Sequence, residues 1–182
     1  MRRRTCLGSL ALLSVPPAVR AADGEAAVPP ELQGLRPLGQ ARMRFLGLAI
    51  YDIRLWARER IDAARWSEQD LALEIVYARS LSGREIAKRS LAEMRRQGEI
   101  AAAQAQAWLA EMEATFPDVK AGDRISGLFE PGLAARFYVN GRLARRIADA
   151  RFARLFFGIW LAPQTSEPAL RERLLGAPDG GA

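Results

Sequence analysis

In residues 39–56, GQARMRFLGLAIYDIRLW, apolar positions recur with a period close to two. Met43, Phe45, Ala49, Tyr51, Ile53 and Leu55 share one parity, while Arg42, Arg44, Leu46, Leu48, Ile50, Asp52, Arg54 and Trp56 share the other. Both parities are partly apolar, so the stretch predicts a sheet covered by helices on one side and by something else that excludes water on the other. Residues 70–79, DLALEIVYAR, alternate in the same way and predict a further strand.

After Ser82 the period lengthens. A helix over 83–97 places Ile86, Ser90, Leu91 and Met94 along one face, with Arg84, Lys88, Arg89, Glu93 and Arg95 mostly elsewhere. Ser82 and Glu85 have the spacing of a capping box. Gly98 ends that helix, and an alanine-rich second one runs over 99–115, where Trp108 and Met112 read as core packing. Residues 123–130 predict a strand, and 133–149 a hairpin turning at Asn140-Gly141, the strongest local turn signal in the chain. Asp149 caps a helix carrying Phe152, Leu155, Phe156, Ile159 and Trp160. Pro163 breaks it, Thr165 or Ser166 caps a last helix, and Leu170, Leu174 and Leu175 form that helix's buried side.

This order of elements predicts one α+β domain on an antiparallel sheet, residues 39–176. Residues 22–38, with Gly24, Pro29, Pro30, Gly34 and Pro37, read as a flexible lead-in or edge segment, and 177–182 as a frayed tail. Residues 1–21 read as an export signal. Arg2 to Arg4 precede the apolar run LGSLALLSV, and Ala18-Val19-Arg20-Ala21 offers small residues before a cut. The run is too short for a permanent membrane anchor. The expected location is periplasmic or secreted.

The formal charge of +6 falls to +2 once the leader arginines Arg2, Arg3, Arg4 and Arg20 are set aside. The remaining arginines are interspersed with acids, so no nucleic-acid surface is expected. Cys6 lies in the leader, which leaves the exported chain without a disulfide, thiol nucleophile or thiolate metal site. Histidine is absent from the chain, removing the commonest general base and metal ligand together. Neither a metal nor a cofactor is expected. Tyr51 with Arg44 or Arg42 remains as candidate chemistry, with three readings open: catalytic, holding a carboxylate head at the end of an apolar cleft, or structural.

Four segments taken in order, GQARMRFLGLAIYDIRLW, LEIVYARSLSGREIAKRSLAEM, FPDVKAGDRISGLFEPGLAARFYVNG and FARLFFGIWLAPQTSEPALRERLLG, resemble the chalcone isomerase-like family, specifically its bacterial exported branch. The resemblance implies an open-faced β-sandwich in which a large antiparallel sheet wraps one long helix, with a ligand cleft between sheet and helices. It includes isomerases that cyclise chalcones and members that bind fatty acids. The isomerases hold developing negative charge with an arginine in the first Gly-rich strand, helped by a threonine, a tyrosine and an asparagine. Arg44 matches that arginine, with Arg42 as the other candidate; Tyr51 falls at the threonine, Ile86 at the tyrosine and Glu93 at the asparagine. Three of the four polar roles are altered.

The resemblance therefore implies an exported, non-catalytic protein that holds a small apolar carboxylate such as a fatty acid through Arg44, Tyr51, Arg42, Ile86 and Glu93, with chalcone cyclisation not expected. An isomerase or lyase using Arg44 and Tyr51 is the alternative. A periplasmic structural or assembly partner without ligand is a third.

Overall fold

The computed structural model describes residues 28–176. Six strands form one antiparallel sheet in sequence order: β1 (Arg36–Phe45), β2 (Leu48–Ala57), β3 (Leu71–Tyr77), β4 (Arg124–Glu130), β5 (Ala134–Val139) and β6 (Arg142–Ile147). Helices α1 (Gly83–Met94) and α2 (Ala102–Thr115) lie between β3 and β4, and α3 (Ala150–Leu161) and α4 (Pro168–Leu175) follow β6. The sheet stays open and packs its inner face on the helices, the expected open-faced α+β architecture. The leader with its cut, and the tail after Gly176, lie outside the described residues.

The stretch around Tyr51 is a hairpin, not one run. The chain reverses between Phe45 and Leu48, which pair with each other, and Leu46 and Gly47 both have positive φ, 48° and 80°. Asn140 and Gly141 repeat that geometry at the β5–β6 turn, with φ of 49° and 82°. Register then decides which face each residue takes. Met43 opposes Tyr51 and Arg42 opposes Asp52, while Tyr51, Ile53 and Leu55 oppose Tyr77, Ile75 and Leu73. Ile50 is the extra residue of a bulge, since Arg44 pairs with Ala49 and Met43 with Tyr51.

Helix α3 occupies the middle of the inner face. Phe152, Ala153, Phe156, Phe157, Gly158, Ile159, Trp160 and Leu161 are all buried, so three turns suffice where a long helix was expected. Asp149 caps it, accepting from the Phe152 N–H at 2.9 Å. Its other carboxylate oxygen accepts from the Trp108 indole N–H at 2.9 Å, which ties α2 to the start of α3. Phe137, Phe156 and Phe116 meet edge to face or tilted at centroid distances of 4.9 to 5.8 Å. The expected capping box does not form: the Ser82 side chain caps nothing, and Asp118 accepts from the Gly83 N–H at 2.9 Å instead. Helix α4 lies against β1, where a Cβ on Gly39 would collide with the backbone carbonyls of Arg173 and Leu174.

Part of the outer face, around Trp56 and Ala72, is covered by residues 28–35. Leu32 is fully buried against Trp56 and Ala72. Glu31 accepts from the Ser126 hydroxyl at 3.0 Å, Glu74 accepts from the Trp56 indole N–H at 3.1 Å, and the Arg124 guanidinium stands 3.6 and 3.7 Å from these two carboxylates. Arg36–Leu38 begin β1, the strand at one edge of the sheet.

Candidate functional site

A cavity of about 370 Å³ opens between the inner face of the hairpin and helices α1 and α3. Its deep wall is aromatic and aliphatic: Leu73, Ile75, Ile125, Phe116, Phe137, Phe156 and Phe157. Gly127 contributes to this wall without a side chain, and a Cβ there would stand 3.1 Å from the Phe157 ring. Polar groups gather at the other end, where α1 presents Glu85, Arg89, Ser90 and Glu93 and the loop before α4 presents Ser166 and Glu167. On α1, Glu85, Arg89 and Glu93 follow at four-residue intervals with Ile86 and Ser90 on the adjoining row, so one helix face carries all five.

Tyr51 and Tyr77 join the two ends. Their rings meet edge to face at 6.2 Å, and the Tyr51 oxygen accepts from the Trp160 indole N–H at 3.0 Å. That bond leaves the Tyr51 O–H to donate. Burial pushes the Tyr51 phenol up to about 12, against the lowering effect of the Trp160 N–H. Burial also raises Tyr77, with Tyr51 adding to it.

Arg89 is the one guanidinium on the wall among the described residues, and it is already paired. Its Nη2 lies 2.6 Å from Glu93 Oε1, with Arg96 3.6 Å from the other oxygen. The pair is uneven: the Glu93 side chain is 10% exposed and that of Arg89 is 68% exposed. The mouth is thus built from one cation held by a buried acid, with Glu85 and Glu167 beside it.

Of the residues singled out in the sequence, the structure brings Tyr51, Ile86 and Glu93 to this cavity and leaves Arg42 and Arg44 off its wall. The reason is strand parity. Met43 and Phe45 point inward, so the residues between and before them point out. Arg42 donates to both oxygens of Asp52, at 2.6 and 2.8 Å, and this bond holds the Asp52 carboxyl below its ordinary range. Arg44 is exposed and donates to the Gly47 carbonyl at 3.2 Å. The expectation that Arg44 and Tyr51 face one cleft together is therefore corrected: only Tyr51 does. Arg89 was the residue missed. Its signal was its position three residues after Ile86 and four before Glu93, on the face that Ile86 turns inward.

Residues 45–176 match the family described as chalcone isomerase-like. The chain belongs to the chalcone isomerase-like family. A Haemophilus influenzae protein of uncharacterised function is 29% identical over 141 residues, covering 78% of this chain and 68% of that protein. Among solved structures, a fatty-acid binding protein of Arabidopsis thaliana superposes with a TM-score of 0.59 at 13% identity, over 79% of this chain and 87% of that one. At that identity the likeness is one of fold. It places this chalcone isomerase-like chain on the same open sheet-and-helix scaffold. Among the described residues no helix is long and apolar enough to cross a membrane.

Proposed function

We propose that this protein is exported to the periplasm, does no catalysis, and holds a small apolar molecule with a carboxylate head, a fatty acid being the type, in the cavity between the sheet and helices α1 and α3. The observation that carries the reading is the distribution of polarity on the wall: hydrocarbon and aromatic rings make up most of it, and the charged groups Arg89, Glu93 and Glu167 gather about the Tyr51 hydroxyl. A cavity of about 370 Å³ is of small-molecule size. An acyl tail fills the deep end among Phe137, Phe156 and Phe157, and the head meets the Tyr51 O–H and the exposed flank of Arg89. The fatty-acid binding activity named for the Arabidopsis protein supports the same ligand class. Export is supported by the leader-like pattern of residues 1–21.

Holding is favoured over turnover by two features. A phenol raised to about 12 is a poor base at neutral pH, and Arg44, the partner required by the isomerase alternative, stands off the wall. The open cavity favours a ligand over the purely structural reading. Mass spectrometry of lipids extracted from protein purified out of the periplasmic fraction without detergent tests the proposal. One fatty acid class near one molecule per chain is expected. Recovery of the chain only from the cytoplasm, or of a protein that is empty and takes up no added fatty acid, would overturn it.

A further inference from the structure

Three of the six exposed large hydrophobic side chains among the described residues sit around one turn. Phe45 is 61% exposed, Leu46 87% and Leu48 56%, at the tip of the β1–β2 hairpin. Leu46 is costly there twice over. Its side chain is almost fully in water, and its backbone is in the left-handed region, at φ 48°, where L-residues other than Asn and Asp are disfavoured. The twin turn at Asn140-Gly141 shows what the same geometry ordinarily takes. A leucine held in a strained and solvated position does nothing for folding, which points to a use outside the fold.

We propose that this tip docks reversibly on a lipid bilayer with anionic headgroups, and that the cavity exchanges its ligand with that bilayer over Phe45. The second half rests on the ligand reading above; the docking does not. Three observations select a bilayer. The tip is a convex two-residue turn exposing on the order of 300–400 Å² of apolar surface, against roughly 800 Å² per partner in a standard protein interface. It is too small and too pointed for a stable protein contact, yet it is the right shape to sink among lipid headgroups. The strand ends behind it carry Arg42 and Arg44 with Asp52 as the one acid. Arg42 is bonded to Asp52, and the exposed Arg44 beside the tip hydrogen-bonds, among the described residues, to the Gly47 carbonyl alone, which leaves one net positive charge there. Guanidiniums flanking an inserted apolar group are what anionic headgroups attract. Finally, Phe45 belongs both to the exposed tip and to the cavity wall, so the two apolar surfaces are continuous. Carboxylates at the mouth, Glu85 and Glu167, stand on the helix side of the opening and not on the hairpin.

Leu46→Asn and Leu48→Thr test this, because neither residue lines the cavity and each replacement suits its backbone: Asn in the left-handed turn, Thr in a strand. Co-sedimentation of the wild-type chain and of L46N/L48T would be measured with vesicles of phosphatidylglycerol and phosphatidylethanolamine, and with vesicles of phosphatidylcholine alone. The wild type is expected to sediment with the anionic vesicles, less so at high salt, and at least about tenfold less with the neutral ones. The double variant should partition at least about tenfold more weakly, the loss expected when two leucine side chains no longer leave water. Its melting temperature should be unchanged or higher. Wild-type protein that stays in the supernatant with both vesicles overturns the proposal, as does a variant that binds like wild type. So does a concentration-dependent dimer abolished by the variant without vesicle binding, which would assign the tip to a second copy of the chain. Titration of a soluble fluorescent fatty acid without vesicles separates the two readings: its failure beside intact vesicle binding removes the ligand and leaves the docking.

Discussion

The Trp160 indole N–H donates to the Tyr51 hydroxyl at 3.0 Å, fastening helix α3 to strand β2 at the polar end of the cavity. Tyr51→Phe removes the acceptor and leaves a buried donor without a partner. The expected cost is about 1 kcal/mol of stability, read from the urea midpoint. Fatty acid affinity should fall as well, because the O–H that faces the head is gone. An unchanged midpoint would show that Trp160 finds another acceptor.

Alkaline pH acts on the same pair. Both phenols have folded pKa values above the usual one near 10, that of Tyr51 reaching about 12. As pH rises the unfolded chain therefore releases these protons first, and it binds fewer of them than the folded chain between about 10 and 12. The stability they contribute is fully present below about pH 10 and is lost as pH climbs through the folded values. Urea midpoints measured from about pH 9 upward should fall more steeply in wild type than in Tyr51→Phe. Parallel slopes would contradict the assignment.

Glu93 competes with any bound carboxylate for Arg89. Glu93→Gln frees the guanidinium and removes a negative charge from the mouth, so fatty acid binding should tighten by about fivefold, the scale of a surface ion pair of up to about 1 kcal/mol. The corresponding fatty alcohol should gain nothing. Equal gains for both would mean that Arg89 does not meet the head. Arg44→Ala, in contrast, should leave affinity within about twofold of wild type.

Gly39 is where β1 admits the carbonyls of Arg173 and Leu174. Gly39→Ala places a methyl group against backbone that cannot turn aside, at an expected cost of about 1–3 kcal/mol. Thermal unfolding of the variant measures it, and a melting temperature equal to wild type would show that α4 is free to shift.

Much of the fold was legible because local chemistry and tertiary role agree at the decisive positions. Asn140-Gly141 announces its hairpin and Asp149 its helix, and both do in the structure what their side chains favour. Leu46-Gly47 makes the same turn without announcing it, since leucine gives no left-handed signal, and so two strands read as one run. The candidate site did not depend on that turn. Parity along the stretch already sets Tyr51 on the opposite face from Arg42 and Arg44, as the register does, and it was the resemblance that drew Arg44 into a cleft its strand face denies it. Arg89 was hidden for a different reason: on an amphipathic helix a charged residue paired with an acid one turn on reads as solvent face, and only the packing of α1 over the cavity shows otherwise.

Calorimetric titration of a medium-chain fatty acid into wild type and Ile86→Trp tests the cavity most directly. Ile86 lines the opening from α1 and is only partly buried, so an indole there obstructs the cavity without rebuilding the core. The account predicts saturable one-to-one binding by wild type, no measurable binding by the variant, and melting temperatures of the two empty proteins that agree. Equal affinity in both proteins would place the ligand elsewhere and contradict the account.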